Sequence, residues 1–397
     1  MKGWSLKTIG EIAEVIAGQS PKSKYYNEEG NGVPFYQGKK EFQDKYLGKP
    51  TKWTTKITKE ALKGDILMSV RAPVGPVNFS TENICIGRGL AAIRANDNIN
   101  SNFLYSFFRY KEKELIGNSG AVFNSINKTQ ISKLKIPIPP IEEQQQIVQI
   151  LDQAFAKIDQ AIANLTQNIQ NAEDLFQSKL NQIFSQQGKG WEEKKVNKVF
   201  QIKPPKSEAK ELISLKDEVS FASMSELGIN ELYLSTDKTK TLEEAYKGYT
   251  YFKNDDVLLA KITPCFENGK LGIAKNLKNE IGFGSSEFIV YRSNGEIIPE
   301  YLYHFMNRQN FRLEGERLMK GAVGHKRIPK EFYEEFVISY PSKEKQLELI
   351  ENLKNLQTTI RNLQTQYSNK LQNLEELKKS LLEKAFSGEL TKTAVEV

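Results

Sequence analysis

The sequence predicts an α+β protein in which two homologous domains of mixed helix and strand are joined by two long helices. Three observations lead to this prediction. The chain repeats itself, each repeat ends in a long stretch without Gly or Pro, and the rest of each repeat holds short β-type runs. With 397 residues, 39% of them hydrophobic and 26% charged, the chain is long enough for two or three domains with packed cores.

The repeat is visible as matching motifs whose separation grows along the chain. Trp4 opens one segment and Trp191 opens another, 187 residues later. Near the end of each repeat, Phe184-Ser185 matches Phe386-Ser387 at a separation of 202 residues, which stays constant over the preceding helical stretch. Each repeat therefore consists of a globular part of variable length and a helical part of constant length.

The first helical part follows Ile136–Pro140, where consecutive prolines favour extended backbone. No Gly or Pro then occurs before Gly188, and acidic residues suit the helix start. The spacing predicts an apolar stripe of Ile147, Leu151, Ala154, Ile158, Ala161, Leu165, Ile169, Ala172, Leu175 and Ile183. The second stripe contains Ile350, Leu353, Leu356, Ile360, Leu363, Tyr367, Leu371, Leu374, Leu377 and Leu381.

Each helix of roughly 45 residues would be about 65 Å long and needs a partner for its stripe. The other helix is the natural partner, and equivalence of the two repeats predicts an antiparallel coiled coil with pseudo-twofold symmetry. The expected limits are a first domain at 1–140, a long helix at 141–187, a second domain at 188–341, a second helix at 342–387 and a tail at 388–397.

The globular parts combine strands with a few shorter helices. Val-, Ile- and Leu-rich runs between Gly, Pro and Asn clusters predict strands at Asp65–Val70, Gly89–Arg94, Asp256–Leu259 and Phe288–Tyr291. Helices are expected at Asn102–Tyr110 and Pro299–Arg308. The stretch Gly18–Gly38 is polar and is expected to be a long loop, the kind of element that carries recognition on a rigid scaffold.

Composition excludes several functional classes. No apolar run reaches the ~18 residues of a membrane-spanning helix and the start lacks a signal-peptide core, so we expect a cytoplasmic protein without a membrane partner. Two cysteines and two histidines provide no zinc-ligand spacing. Neither a phosphate-binding loop nor a methyltransferase motif occurs. We therefore expect no catalytic residues, no metal site and no cofactor on this chain.

The net charge of +7 is unevenly distributed. Residues 1–140 carry 21 Lys or Arg against 12 Asp or Glu, a net +9, whereas residues 191–340 carry 23 of each. This excess fits a polyanionic partner, although a solvated lysine-rich surface explains it equally well.

Polar and cationic loop residues are the candidates for contact with double-stranded DNA, because Lys and Arg neutralise phosphates while Gln, Ser and Arg read base edges. In the first domain these candidates are Gln19, Ser20, Lys22, Lys24, Tyr25, Gln37, Lys39, Lys40, Arg71 and Arg88. In the second domain they are Lys203, Lys206, Ser207, Lys261, Thr263, His325, Lys326 and Arg327. A solvated surface role is the alternative for each single residue.

Three segments point to a known family: the opening Trp4–Ile12, the junction Ile136–Gln144 and the closing Leu382–Leu390. Through them the whole chain resembles the DNA-specificity subunit of type I restriction-modification systems. The second junction, Ile338–Gln346, departs from the pattern because it keeps a single proline. Asp217–Phe221 resembles a different class of target-recognition domain, which implies that the two halves read different sequences.

The resemblance implies a non-catalytic subunit that binds a bipartite, asymmetric site on double-stranded DNA, one half per target-recognition domain. It further implies that the chain holds two methyltransferase (M) subunits, which bind S-adenosylmethionine and methylate adenine. Restriction (R) subunits that use ATP and Mg would join the same complex.

Two other readings remain open from the residues alone. The chain could be an unrecognised DNA methyltransferase or nuclease, which would turn over DNA without partners. It could also be a coiled-coil adaptor with incidental DNA affinity, which would lack the steep salt dependence of phosphate contacts.

Overall fold

The computed structural model describes residues 3–116, 125–185, 189–322 and 324–391. Residues 186–187 of the predicted first helix and 392–397 of the predicted tail lie outside this part. The chain divides into two compact units. Unit 1 comprises Met1–Thr166 and Ser368–Val397, and unit 2 comprises Gln167–Tyr367.

Unit 1 combines strands and helices as predicted. Its strands β1 to β11 run, in chain order, over Ser5–Thr8, Ala13–Ala17, Tyr26–Asn27, Val33–Tyr36, Trp53–Thr54, Glu60–Ala61, Ile66–Ser69, Val77–Phe79, Ile84–Ile86, Leu90–Ala95 and Lys135–Ile138. Its helices are α1 (Ile9–Ile12), α2 (Ser101–Ile116), α3 (Lys128–Ser132) and the first part of α4 (Ile141–Phe184).

These strands form three sheets in the described part of unit 1. Strands β1 and β11 pair, β2-β10-β7-β8 make an antiparallel sheet, and β3-β5-β4-β9-β6 make a further sheet in which β4 and β9 run parallel. The largest core of the unit lies between the β2-β10-β7-β8 sheet and α2, where Phe103, Phe107 and Phe108 are fully buried. Aromatic burial on this scale is a major contribution to the stability of the unit.

Unit 2 follows the same plan. Its strands β12 to β21 run over Glu192–Lys195, Phe200–Ile202, Glu218–Ala222, Thr239–Thr241, Thr250–Lys253, Val257–Ala260, Leu271–Ile273, Ile281–Gly284, Phe288–Ser293 and Val337–Tyr340. Its helices α5 to α11 run over Val196–Val199, Ser207–Leu212, Leu242–Tyr246, Pro299–Met306, Gln309–Leu318, Lys330–Glu335 and Lys343–Ser387, and α11 continues into unit 1.

The sheets reveal which part of the repeat is constant. In unit 2, β12 pairs with β21 and β13-β20-β17-β18 reproduces the strand order of β2-β10-β7-β8. The remaining sheet differs, because unit 2 has β15-β14-β19-β16 where unit 1 has five short strands. Each unit thus combines a common antiparallel sheet with a second sheet of its own topology.

Both common sheets contain the same ion pair, in which the carboxylate is buried and the guanidinium group is partly exposed. Arg94 on β10 binds Asp65 through two hydrogen bonds of 3.0 and 2.9 Å. Arg292 on β20 binds Asp256 in the same way at 2.8 and 2.7 Å. Both carboxylates also accept a backbone N–H of the turn that enters the strand. The two acids are therefore structural turn residues.

The long helices share a core within each unit. In unit 1 the early residues Ile147 and Leu151 of α4 pack with the late residues Leu382 and Phe386 of α11. In unit 2 the late part of α4 shares a core with the early part of α11, through residues such as Leu180 and Leu353. The start of one helix therefore packs with the end of the other, as an antiparallel pair requires.

Two details of the predicted fold were wrong. The expected loop Gly18–Gly38 contains β3 and β4, because the apolar run before Gln37 is buried in the second sheet. Leu175 and Leu377, placed in the apolar stripes, have 58% and 45% of their surface exposed. In α4 the buried residue of this turn is Phe176, one position after Leu175, whereas the predicted Ile183 is buried in the same core.

Candidate nucleic-acid interface

In unit 1, candidates that lie far apart in sequence meet at one end of the common sheet. Gln19 and Ser20 follow β2, Arg71 follows β7 and Arg88 precedes β10. Since these strands are antiparallel neighbours, these ends coincide. The backbone N–H of Arg88 donates to Oγ of Ser20 (3.2 Å), and Nε of Arg71 donates to the carbonyl of Arg88 (3.4 Å).

Gln37 joins this group from the second sheet. The N–H of Gly89 donates to the carbonyl oxygen of Gln37 at 3.0 Å. A Cβ at position 89 would lie 2.4 Å from that oxygen, so only glycine allows this approach. Together Gln19, Ser20, Gln37, Arg71 and Arg88 form what we call the first loop edge.

Among the described residues, the cations of the first loop edge form no ion pair with a carboxylate. Arg71 and Arg88 are both exposed. No carboxylate of the described residues lies within 4.0 Å of either guanidinium group. Exposed guanidinium groups without a carboxylate partner can bind phosphate or the guanine edge in two-point geometry.

The other unit 1 candidates lie on the connections of the second sheet. Lys24 and Tyr25 belong to a 3-10 turn at Ser23–Tyr25, which Lys22 precedes, and Lys24 Nζ lies 5.1 Å from the ring centroid of Tyr25. Lys56, which the sequence did not single out, lies over the same ring at 5.4 Å. Lys39 and Lys40 are exposed on a second 3-10 turn at Lys39–Glu41.

Unit 2 brings a different set to the equivalent end of its common sheet. Lys203 follows β13, and Lys261 and Thr263 follow β17. The N–H of Thr263 donates to the carbonyl of Lys326 at 2.9 Å, and Arg327 faces Ile262 in an isolated β-bridge. We call Lys203, Lys261, Thr263, His325, Lys326 and Arg327 the second loop edge.

A carboxylate lies within the second loop edge. Arg327 donates from Nε and Nη2 to the two oxygens of Glu287 at 2.9 and 2.8 Å. Lys261 Nζ lies 3.8 Å from the same carboxylate and donates to the carbonyl of Ser286. The hydrogen bond from Arg327 lowers the pKa of Glu287, so this carboxyl group is ionised at neutral pH. Burial lowers the pKa of Lys261.

Lys206 and Ser207 lie at the start of α6. Lys206 Nζ donates to the carbonyl of Tyr246 (3.0 Å) and lies 4.7 Å from its ring centroid. Lys210 lies over the same ring at 3.9 Å. Lys203, in turn, donates to the hydroxyl of Tyr333 at 2.8 Å. Sequence reasoning missed Lys210 and Glu287 because neither falls in a motif.

Other chemistry finds little support in the described residues. They contain no group of three His, Cys, Asp or Glu side chains that could hold a metal ion. None of the helices they form is both long and apolar enough to cross a bilayer. Cys85 is buried and Cys265 is half-buried, and both are free thiols.

These features define a tandemly duplicated α+β protein. Each of its two units has a polar loop edge at the same end of a common sheet, and each of the two long helices runs through both units. The family model for the type I restriction modification DNA specificity domain matches residues 1–171 and, a second time, 188–373. The chain belongs to this family. The family and the fold class expected from the sequence are both confirmed.

Curated relatives carry the same description. The chain is 45% identical over 153 residues to a putative type I restriction enzyme MjaX specificity subunit of Methanocaldococcus jannaschii, covering 37% of this chain and 36% of that one. It is 34% identical over 197 residues to the EcoAI specificity subunit of Escherichia coli, covering 49% and 32%. These matches thus span about a third of the length of the relatives.

Two solved structures share the fold at 17% identity. The HsdS subunit from Thermoanaerobacter tengcongensis matches with a TM-score of 0.58 and covers 98% of both chains. A chain from a study of complex assembly and conformational transition of the type I R-M system matches with a TM-score of 0.76, covering 98% of this chain and 99% of that one.

Proposed function

We propose that this chain is the DNA-specificity subunit of a type I restriction-modification complex and has no catalytic activity of its own. The observation that carries the proposal is the pair of loop edges. Two copies of one sheet present polar and cationic loops at the same end, and each copy bears a different set of side chains. A duplicated scaffold with two different polar edges fits a protein that reads two different half-sites.

The domain assignment follows the repeat. Residues 1–140 and 188–341 are the two target-recognition domains, 141–187 and 342–387 are the connecting helices, and 388–397 form a tail. Each recognition domain contributes one loop edge. The exposed Arg71 and Arg88 neutralise phosphates or read guanine, while Gln19, Ser20 and Gln37 offer amide and hydroxyl groups to base edges.

The helices and the rest of the surface serve assembly. Two M subunits bind to this chain, and R subunits complete the restriction complex in the cytoplasm. S-adenosylmethionine binds to the M subunits, and ATP and Mg bind to the partner subunits, so the present chain holds none of them.

The test is selection of bound sequences from a random 40-base-pair duplex library by the full chain. Enrichment of a bipartite, asymmetric motif with an unread spacer is the expected result, together with a steep loss of affinity as salt rises. Absence of salt-dependent binding would favour an adaptor. Methyl transfer or cleavage by the chain alone, with S-adenosylmethionine or Mg supplied, would favour an enzyme.

A further inference from the structure

One position beside the loop edges differs in charge between the two units, and this difference has a structural cause. The residue directly before β10 is Gly89, and the residue directly before the equivalent strand β20 is Glu287. Position 89 admits no side chain, because the Gln37 carbonyl occupies that space. The second sheet of unit 2 has another topology, and Glu287 carries its side chain there without such an obstruction.

Glu287 changes what the neighbouring cations can do. Its two carboxylate oxygens engage two of the donor groups of Arg327, and the carboxylate also attracts Lys261. A backbone phosphate that approached Arg327 would have to break this two-point pair and would be repelled by the carboxylate. In the described part of the chain, no carboxylate lies within 4.0 Å of the guanidinium groups of Arg71 and Arg88, so a phosphate meets no such competitor at the first loop edge.

We propose, on the basis of the proposed function, that Glu287 is a specificity-determining residue of the second unit that suppresses sequence-independent binding to DNA phosphates. It does so by holding Arg327, in the absence of the correct half-site, in an internal ion pair. The carboxylate of Glu287 competes with DNA phosphates for Arg327. This competition lowers the affinity for DNA of the wrong sequence and so increases discrimination between DNA sequences.

The experiment compares wild-type chain with Glu287→Gln in binding to a fixed 40-base-pair duplex of random sequence, over a range of salt concentrations. Glutamine keeps the size of the side chain and removes its charge. We expect several-fold tighter binding to this non-specific duplex and a salt dependence steeper by about 0.9, the value for one additional phosphate contact. Selection from the random library should then give a weaker base preference in one half-site only.

Three further variants make the result specific. Glu287→Ala, which also removes the charge, should behave like Glu287→Gln. The double variant Glu287→Gln/Arg327→Ala should lose the added steepness, because Arg327 supplies the additional contact. Glu335→Gln is the matched control, since it removes an equal charge from an ion pair with Lys195 on β12 at 2.8 Å. It should leave affinity and slope unchanged.

The outcomes separate this inference from the proposed function. If wild-type chain shows salt-dependent, sequence-selective binding and folded Glu287→Gln and Glu287→Ala bind random duplex with unchanged affinity and slope, the role of Glu287 is wrong and the proposed function stands. If Glu287→Gln and Glu335→Gln changed DNA affinity and salt dependence equally, the change in net charge would explain both results, and the inference would be overturned. If wild-type chain does not bind duplex DNA at all, the proposed function and this inference are both wrong.

Discussion

Gln144 and Gln346 stand 202 residues apart and share two hydrogen bonds in their respective units, to which Gln346 adds a third, from Nε2 to the carbonyl of Glu296 at 3.1 Å. Each side chain donates from Nε2 to a proline carbonyl just before its long helix, Pro139 in one case and Pro341 in the other, at 3.0 Å. Both glutamines are buried, at 1% and 0% exposure. The surviving proline of the second junction is thus the one that accepts this hydrogen bond.

The same two side chains also accept a backbone N–H. Asn100, before α2, donates to Oε1 of Gln144 at 2.8 Å, and Ile298, before α8, donates to Oε1 of Gln346 at 2.9 Å. Replacing either glutamine by leucine leaves a buried carbonyl and a partly buried N–H without these partners. We expect each change to lower the free energy of unfolding by about 2–4 kcal/mol, measured by denaturant titration.

Gln145→Leu is the control, because the neighbouring side chain is exposed. It should change the free energy of unfolding by about 0.5 kcal/mol or less. Equal stability of Gln144→Leu and Gln145→Leu would contradict a structural role for the junction glutamine.

Tyr110 and Arg308 occupy matching positions in the two repeats and cover matching rings. Tyr110 stacks on Phe386 with ring centroids 5.3 Å apart, and the guanidinium carbon of Arg308 lies 5.5 Å from the centroid of Phe184. Burial lowers the pKa of Arg308 to about 10. An aromatic ring should therefore replace this guanidinium at little cost.

We expect Arg308→Tyr to remain within about 1 kcal/mol of wild type in the free energy of unfolding. Arg308→Ala should cost about 1–3 kcal/mol, because it removes both the ring contact and the packed stem. Thermal and denaturant unfolding of the three proteins would measure this order. Loss of stability in Arg308→Tyr equal to that in Arg308→Ala would mean that the two positions are not equivalent.

The parts of the fold that could be predicted are the segments that occur in both repeats of the sequence and the segments with strong hydrophobic periodicity. The expected strand at Asp65–Val70 is β7 at Ile66–Ser69, and the expected helix at Pro299–Arg308 is α8 at Pro299–Met306. Each lies within a motif that recurs in the other repeat. The long helices, which contain no Gly or Pro, could be predicted equally well, because apolar periodicity over many residues distinguishes a helix from a strand.

The second sheets could not be predicted, since strands such as Tyr26–Asn27 are too short to show alternation. Their pairing depends on partners distant in sequence, such as Phe35 with Cys85. The same limit applies to the candidate interface. The sequence pointed to cations, but whether a cation is free, like Arg71, or paired, like Arg327, depends on which acid the fold brings beside it.

His304 predicts an acid sensitivity of unit 2. Burial lowers the pKa of His304 to about 4, from an ordinary value of 6.5. Below about pH 6.5 the unfolded chain takes up a proton at this residue and the folded chain does not, so stability is lost as pH falls toward 4. The expected slope is about 1.4 kcal/mol per pH unit in that window.

His304→Leu should remove this component. Between pH 7 and pH 5 the free energy of unfolding should fall about 2 kcal/mol more in wild type than in the variant. His325→Leu is the control, since His325 is exposed and is the only other histidine. Its pH dependence should follow wild type, and parallel curves for wild type and His304→Leu would contradict the prediction.

The first loop edge and the nearby lysines allow base reading to be separated from phosphate binding. The N–H of Gly89 donates to the backbone carbonyl of Gln37 at 3.0 Å. This hydrogen bond fixes the position of the backbone that carries the Gln37 side-chain amide. Lys39 and Lys40 are exposed on the adjoining 3-10 turn. A fixed amide is suited to one base edge, whereas exposed ammonium groups bind any phosphate within reach.

Lys39→Ala and Lys40→Ala should therefore weaken binding to every duplex alike and reduce the salt dependence by about 0.9 each. Gln37→Ala should leave the salt dependence unchanged and relax discrimination at one base pair by about 1–3 kcal/mol. Affinities measured over a salt series, with library selection for each variant, distinguish the two effects. Lys133→Ala is the control. Lys133 is an exposed cation directly after α3, and α3 contacts α1, the helix that precedes β2. The first loop edge lies at the other end of β2, after its last residue. If all three variants bind like this control, the interface of unit 1 lies on other residues.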